Sequence, residues 1–217
     1  MNMLRLYIIP ILLLFCQPAP LAAQRDSVPH APLRPHVAPL VGSTMFATGA
    51  FVTLRPELHN KEISLYNRLE VASFDKIRVD DYLQFLPLAV PFVLNLAGLE
   101  SEHNFGQMAL LTATSYLIGI TTVETCKHIF QTQRPNNGSL TSFPSGHTCS
   151  AMLGAEILRR EYGRRYPWVT WVGYGVASVV ALLRMYNDRH WPSDVLAGTG
   201  VALLAVSASY ALWDDNR

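Results

Sequence analysis

Three clusters in this chain hold residue types that do chemistry together. They are Lys127-His-Ile-Phe-Gln-Thr-Gln-Arg134-Pro135, Pro144-Ser-Gly-His147, and Arg184-Met-Tyr-Asn-Asp-Arg-His190-Trp-Pro-Ser-Asp194. Each borders a run of apolar residues, so each is presented at a helix end. Three basic side chains, two histidines, one carboxylate and a Ser-Gly turn suit the holding and attack of a tetrahedral phosphate dianion. Phosphoryl transfer is mainly positioning plus electrostatic stabilisation of the equatorial oxygens. Lys127, Arg134 and Arg184 supply donors, and the two arginines can bind oxygens in pairs. Ser145 and Gly146 stand where a loop enters a helix, with backbone N–H groups free to meet an anion. A nucleophile and a proton donor must also face the phosphorus. His190 and His147 can fill those roles. Asp194, four residues beyond His190, is placed on a helical turn to accept the imidazole N–H and fix its tautomer.

Lys-x6-Arg-Pro, Pro-Ser-Gly-His and Arg-x5-His-x3-Asp, in this order, resemble the three signature motifs of the type 2 phosphatidic acid phosphatase (PAP2) superfamily. That superfamily includes membrane lipid phosphatases, bacterial acid phosphatases and vanadium haloperoxidases. Three spaced motifs in order are a strong signal where one would be weak. The family usually has Ser before the third-motif arginine, where this chain has Leu183. The resemblance implies that His190 forms a phosphohistidine and that Asp194 supports it. It implies that His147 protonates the leaving alkoxide and then activates water. Lys127, Arg134, Ser145, Gly146 and Arg184 would bind the phosphate, with no metal and no other cofactor.

Blander readings exist for each part. Lys127 and Arg134, taken singly, read as snorkelling residues at a helix end. Pro144-Ser145-Gly146 reads as a turn and N-cap. His190 and Asp194 read as half of a metal site, but no acidic or cysteine cluster stands near to complete one. Only the co-occurrence of the three motifs favours the phosphate site.

The elements that must carry these residues follow from composition and pattern. Of 217 residues, 50% are hydrophobic and 15% charged, with a formal net charge of +1. That is apolar for a soluble domain and offers no basic surface for nucleic acid. Residues 1–23 read as a secretory signal, with Arg5, an apolar stretch from Tyr7 to Phe15 and a cleavage site after Ala23. Residues 24–38, rich in proline, read as an extended linker. Residues 39–217 then form one catalytic domain. The stretch 39–54 reads as a buried or interfacial helix rather than a span, and 55–82 as holding a short amphipathic helix. Asp80 and Asp81 read best as an N-cap ahead of the next apolar run.

Five helices are expected over about 82–99, 106–130, 145–162, 167–187 and 193–213, with Pro87 and Pro91 as kinks in the first. Alternating helices bring all three motifs to one side. The other side receives Arg159, Arg160, Arg164 and Arg165, which the positive-inside rule places in the cytoplasm. The motifs then face the exported side of a bacterial inner membrane. A parity count agrees only if 39–54 does not cross. Trp168, Trp171, Tyr186, Trp191 and Trp213 lie near helix ends, as interfacial anchors or as core. Cys126 and Cys149 read either as a disulfide beside the site or as two small buried residues.

The expected architecture is therefore an all-α, membrane-associated bundle of the PAP2/haloperoxidase type. The expected function is hydrolysis of a lipid phosphate monoester. Wording around the motifs is similar to small exported lipid A phosphatases, with the 4′-phosphate favoured. Undecaprenyl diphosphate is the runner-up substrate. A vanadium haloperoxidase and a non-catalytic lipid-binding protein are the rivals from other classes. The partners expected are the membrane and its lipid, with no nucleic acid and no protein.

Overall fold

The apolar runs become helices wherever a proline or a capping residue punctuates them. The computed structural model describes residues 37–68 and 78–213, which form eight α-helices and no strand. They are α1 (Val37–Leu54), α2 (Pro56–Arg68), α3 (Asp80–Leu83), α4 (Leu86–Leu96), α5 (Phe105–Phe130), α6 (Gly146–Tyr162), α7 (Pro167–Tyr186) and α8 (Pro192–Trp213). The signal expected at 1–23 and most of the linker expected at 24–38 lie outside the described residues, although the helix already begins at Val37.

Local chemistry sets the helix starts. Asn104 and Gln107 form a reciprocal capping box at α5. Ser145 caps α6. Pro167 and Pro192 open α7 and α8, where a missing N–H costs nothing. The helix expected over 82–99 is divided instead. The four residues of α3 end before Pro87, which sits in the first turn of α4, and only Pro91 lies inside a helix.

The core is built around α6. It packs against α4, α5, α7 and α8, and 12 of its 17 residues are buried. Its short apolar length is therefore no obstacle, because protein rather than lipid surrounds it. Glycine makes one contact possible: a Cβ on Gly154 would stand 2.4 Å from the Leu88 nitrogen, so α4 crosses backbone to backbone there. The charged residues of α6 are paired within the bundle. Glu156 accepts from Arg159, Arg160 and the Tyr174 hydroxyl, and Glu161 accepts from His103 and the Tyr210 hydroxyl.

The structure corrects two expectations about topology. First, 39–54 is not a buried helix. It belongs to α1, 18 residues long and apolar enough to span, with 11% of that window buried. Two of its hydroxyls are satisfied within the helix, since Ser43 and Thr44 donate to the carbonyls of Pro39 and Leu40. It runs antiparallel along α8, with Gly49 against Ser193 and Ala197 and Gly42 against Gly200 and Leu203. The chain thus traverses the bundle in α1 toward the motif-bearing end, and the parity count that excluded a crossing no longer holds. Second, Arg159 and Arg160 do not sit in a solvated basic loop. They lie within α6, tied to Glu156, which leaves Arg164 and Arg165 in the connection to α7.

Two further helices meet the span criterion of length and apolarity, α7 and α8. Their ends carry aromatic residues of both kinds. Trp168, Trp171 and Trp213 are exposed at the end of the bundle away from the motifs, as anchors are. Trp191 is buried at the motif end, edge-on to His59 and Tyr66 of α2.

Candidate active site

All three motifs reach the same end of the bundle. Lys127 lies in the last turn of α5, and Arg134 follows in the connecting loop. Gly146 and His147 open α6, Arg184 closes α7, and Asp194 stands in the first turn of α8. Every residue expected from the sequence is brought there.

The loop between α5 and α6 is shaped by backbone chemistry. It leaves α5 through Gln131 in a left-handed conformation. Asn136, Asn137 and Gly138 make the expected turn, with Asn137 also left-handed and the Asn136 side chain accepting from the Gly138 N–H. Ser142 N–H donates to the Thr132 carbonyl, and Trp191 Nε1 donates to the Gln133 carbonyl at 2.8 Å. The Ser145 hydroxyl meets the Thr148 N–H and hydroxyl at the start of α6. Ser145 N–H itself donates to the Asp194 carbonyl at 3.0 Å, which sews the second motif to the third. Gly198 allows this, because a Cβ there would lie 2.5 Å from the Ser145 carbonyl oxygen. Gly198→Ala is expected to push α8 off this loop, costing about 1–3 kcal/mol of stability and most of the activity. Thermal unfolding and turnover of the purified variant check both; native values for both would contradict the packing described.

The phosphate ligands arrive with distinct environments. A Cβ on Gly146 would sit 3.6 Å from the Lys127 ammonium, so that cation lies over the N-terminus of α6. Glu124, one turn earlier, holds Lys127 at 2.7 Å. Arg134 is half-buried and donates weakly to Thr141. Burial, then the nearby charges of Arg184 and Arg189, lower its pKa from the ordinary arginine value. Arg184 is buried, and its Nη1 donates to Asp80 at 2.6 Å. Arg134 Nε and Arg184 Nε are both buried without a protein acceptor. Buried guanidinium donors are costly unless an acceptor meets them, and an anion bound between the motifs would meet both.

Asp194 does not sit where helical spacing alone would put it. Its Oδ2 accepts from the Trp191 backbone N–H at 2.8 Å and from the Ser142 hydroxyl. The first contact is half a capping box, an acid at the third helical position reaching back to the cap. His190 Nδ1 is 3.6 Å from the same oxygen and only 2.8 Å from the Ser142 carbonyl. A carbonyl can only accept, so Nδ1 carries the proton and Nε2 keeps its lone pair. The tautomer expected from Asp194 is thus set by a backbone group, with Asp194 holding the loop that supplies it.

His190 is buried, and burial lowers its pKa. Asp194 opposes that change, while Arg184 and Arg134 reinforce it. A lowered pKa keeps the imidazole neutral to more acidic pH. The acid limb of kcat/KM should therefore fall below the usual histidine value of about 6.5. A pH–rate profile with its acid midpoint above that value would contradict this environment.

Two residues read from sequence as a helix cap prove otherwise. Val79 is the N-cap of α3, and no side chain caps it. Asp80 is buried, accepting from Arg184 and, at 3.1 Å, from Asn187 Nδ2. Asp81 is half-exposed and lies 3.1 Å from His147 Nε2 and 3.4 Å from Arg184 Nη1. His147, at the motif end and outside the spanning stretches, has its pKa pushed down to about 4, first by burial and then by Arg184; Asp81 acts in the opposite direction. The only available signal for these roles was a pair of carboxylates ahead of an apolar run.

A strap completes the site. Tyr66 of α2 shares its one hydroxyl proton between Asp188, at 2.8 Å, and the Met185 carbonyl. Glu62 accepts from the Ser193 N–H at 2.7 Å, an acid at the N-terminus of α8. Cys126 and Cys149 are buried free thiols, not a disulfide.

Residues 107–217 match the family model described as the PAP2 superfamily. The chain belongs to that superfamily. Curated relatives include the lipid A 1-phosphatase of Porphyromonas gingivalis, 33% identical over 138 residues, which are 63% of this chain and 31% of that one. The match thus spans about a third of that relative. The lipid A 1-phosphatase of Helicobacter pylori is 28% identical over 134 residues, 59% of this chain and 67% of its own. Among solved structures, the PAP2-type phosphatidylglycerolphosphate phosphatase of Bacillus subtilis aligns with a TM-score of 0.60 at 16% identity, covering 83% of this chain and 98% of that one. Aquifex aeolicus LpxE aligns with a TM-score of 0.52 at 20% identity, covering 68% and 93%. Both share the all-helical fold of this PAP2 member.

Proposed function

We propose that this chain is a membrane phosphatase that removes a phosphate monoester from lipid A. The observation that carries the catalytic half is the pairing of a tautomer-fixed imidazole with two buried, unpaired guanidinium donors at one end of an apolar bundle. Binding alone would not require a buried histidine with one nitrogen held as acceptor. The lipid half rests on the relatives' names and on helices able to span.

The geometry supports a two-step reaction through His190. Lys127, Arg134, Arg184 and the Gly146 N–H at the start of α6 hold the phosphate oxygens, while the Ser145 N–H, expected from the sequence to join them, is committed to the Asp194 carbonyl. His190 Nε2 attacks phosphorus, forming the P–N bond as the bond to the lipid oxygen breaks. His147 gives its proton to that oxygen. The dianionic phosphate beside His147 favours the protonated ring that burial and Arg184 disfavour in the free protein. Neutral His147 then takes a proton from water, and the hydroxide attacks phosphorus. Inorganic phosphate leaves, and His190 is restored.

The motif end faces the exported side in this proposal, with Arg164, Arg165, Trp168 and Trp171 at the cytoplasmic end; because α1 runs toward the motifs, this places the start of α1 on the cytoplasmic side and sets aside a secretory-signal reading of 1–23. Sequence wording favoured the 4′-phosphate. The relatives named above carry the name 1-phosphatase, and this favours the 1-phosphate as the first position to test. Lipid extracts of a bacterium with and without the gene decide the substrate. Deletion should leave lipid A one phosphate heavier, with tandem mass spectrometry locating it. Unchanged lipid A with a build-up of undecaprenyl diphosphate would overturn the proposal in favour of that lipid.

A further inference from the structure

The Asp80–Asp81 pair belongs to the motif end, yet no signature motif contains it. It sits on α3, more than sixty residues before His147 and a hundred before Arg184. Asp80 is fixed by Arg184 and Asn187, so the backbone of α3 is anchored to the end of α7. The neighbouring carboxylate is thereby delivered to His147. One oxygen of Asp81 lies 3.1 Å from His147 Nε2.

We propose that Asp81 is a positioning residue for His147, accepting the Nε2–H so that Nδ1–H is the proton delivered to the leaving oxygen. The two histidines then work in opposite tautomers. His190 is held through Nδ1 and reacts through Nε2; His147 is held through Nε2 and reacts through Nδ1. The proton balance is complete. Nδ1–H passes to the alkoxide, the neutral ring keeps Nε2–H on Asp81, and Nδ1 takes the next proton from water. The groups that face His147 are Asp81 on α3, Arg184 on α7 and His190 in the connection to α8. Of these, only Asp81 favours the protonated ring.

The chemistry rests on the phosphatase proposal, but the pairing can be read without turnover. Histidine-labelled protein in detergent micelles, followed by nitrogen NMR through a pH titration, reports tautomer and midpoint, with His147→Gln assigning the signal. In the native protein the neutral His147 ring should be the Nε2–H tautomer. Asp81→Ala should mix the tautomers and move the midpoint down by on the order of one unit, and Asp81→Glu should restore both. In turnover, Asp81→Ala should lower kcat about ten- to a hundred-fold and shift the basic limb to lower pH. KM should stay within about two-fold, and vanadate affinity should be kept, showing the phosphate ligands intact. An unchanged tautomer and midpoint in Asp81→Ala would overturn the proposal. So would tighter vanadate binding with native kcat, because the carboxylate would then only compete for the anion site. A native protein that shows the pairing but hydrolyses no phosphate ester would refute the phosphatase reading instead.

Discussion

His190→Ala should reduce turnover by at least about a thousand-fold, to the level left by binding and electrostatics alone. The ring is buried and its Nδ1 is committed to the Ser142 carbonyl, which leaves the Nε2 lone pair for attack. His147→Ala should differ in character. It removes a proton donor, worth about a hundred- to ten-thousand-fold, and it should hurt least with substrates whose leaving group needs no proton. Acid-labile, base-stable phosphate on quenched protein should appear in the native chain and in His147→Ala, but not in His190→Ala. Substantial turnover by His190→Ala would mean that another group attacks phosphorus.

Asp80→Ala should have the largest effect on stability. Asp80 is buried with the Arg184 guanidinium at 2.6 Å, and Asn187 is its second partner. Removing it leaves the buried cation only the longer 3.4 Å contact with half-exposed Asp81, at a cost of about 3–5 kcal/mol. The double variant Asp80→Ala with Arg184→Met removes that charge and should be more stable than Asp80→Ala alone, though inactive. Tryptophan fluorescence during thermal unfolding in detergent reads the order. A double variant less stable than the single one would show that the pair is not what holds α3 to α7.

The same residues show what a one-dimensional pattern can carry. Long apolar runs bounded by Asn104, Ser145, Pro167 and Pro192 predict four of the helices to within one or two residues, since caps and prolines act locally. The motif residues are legible for a related reason: their types have few other uses in that order. Asp80 and Asp81 were not legible, because a carboxylate ahead of a helix caps it far more often than it reaches an arginine a hundred residues away. The Ser142 carbonyl could not be found at all; a backbone acceptor leaves no mark in side-chain chemistry. Asp194 was found with its role only partly drawn, since the spacing that reaches His190 also reaches the Trp191 N–H. That α1 is long and apolar enough to cross is masked in the sequence, because Ser43, Thr44 and the glycines look polar or small. In the fold the hydroxyls are bonded back to the helix, and Gly42 and Gly49 lie against α8.

The motif end of this bundle is proposed to take a phosphate from lipid A. The most direct measurement incubates purified protein in micelles with doubly phosphorylated lipid A, following inorganic phosphate and the lipid's mass together. One phosphate should be lost per lipid and recovered in solution at an equal rate, with His190→Ala leaving the lipid intact. A lipid of unchanged mass, in a preparation that still binds vanadate, would contradict the account.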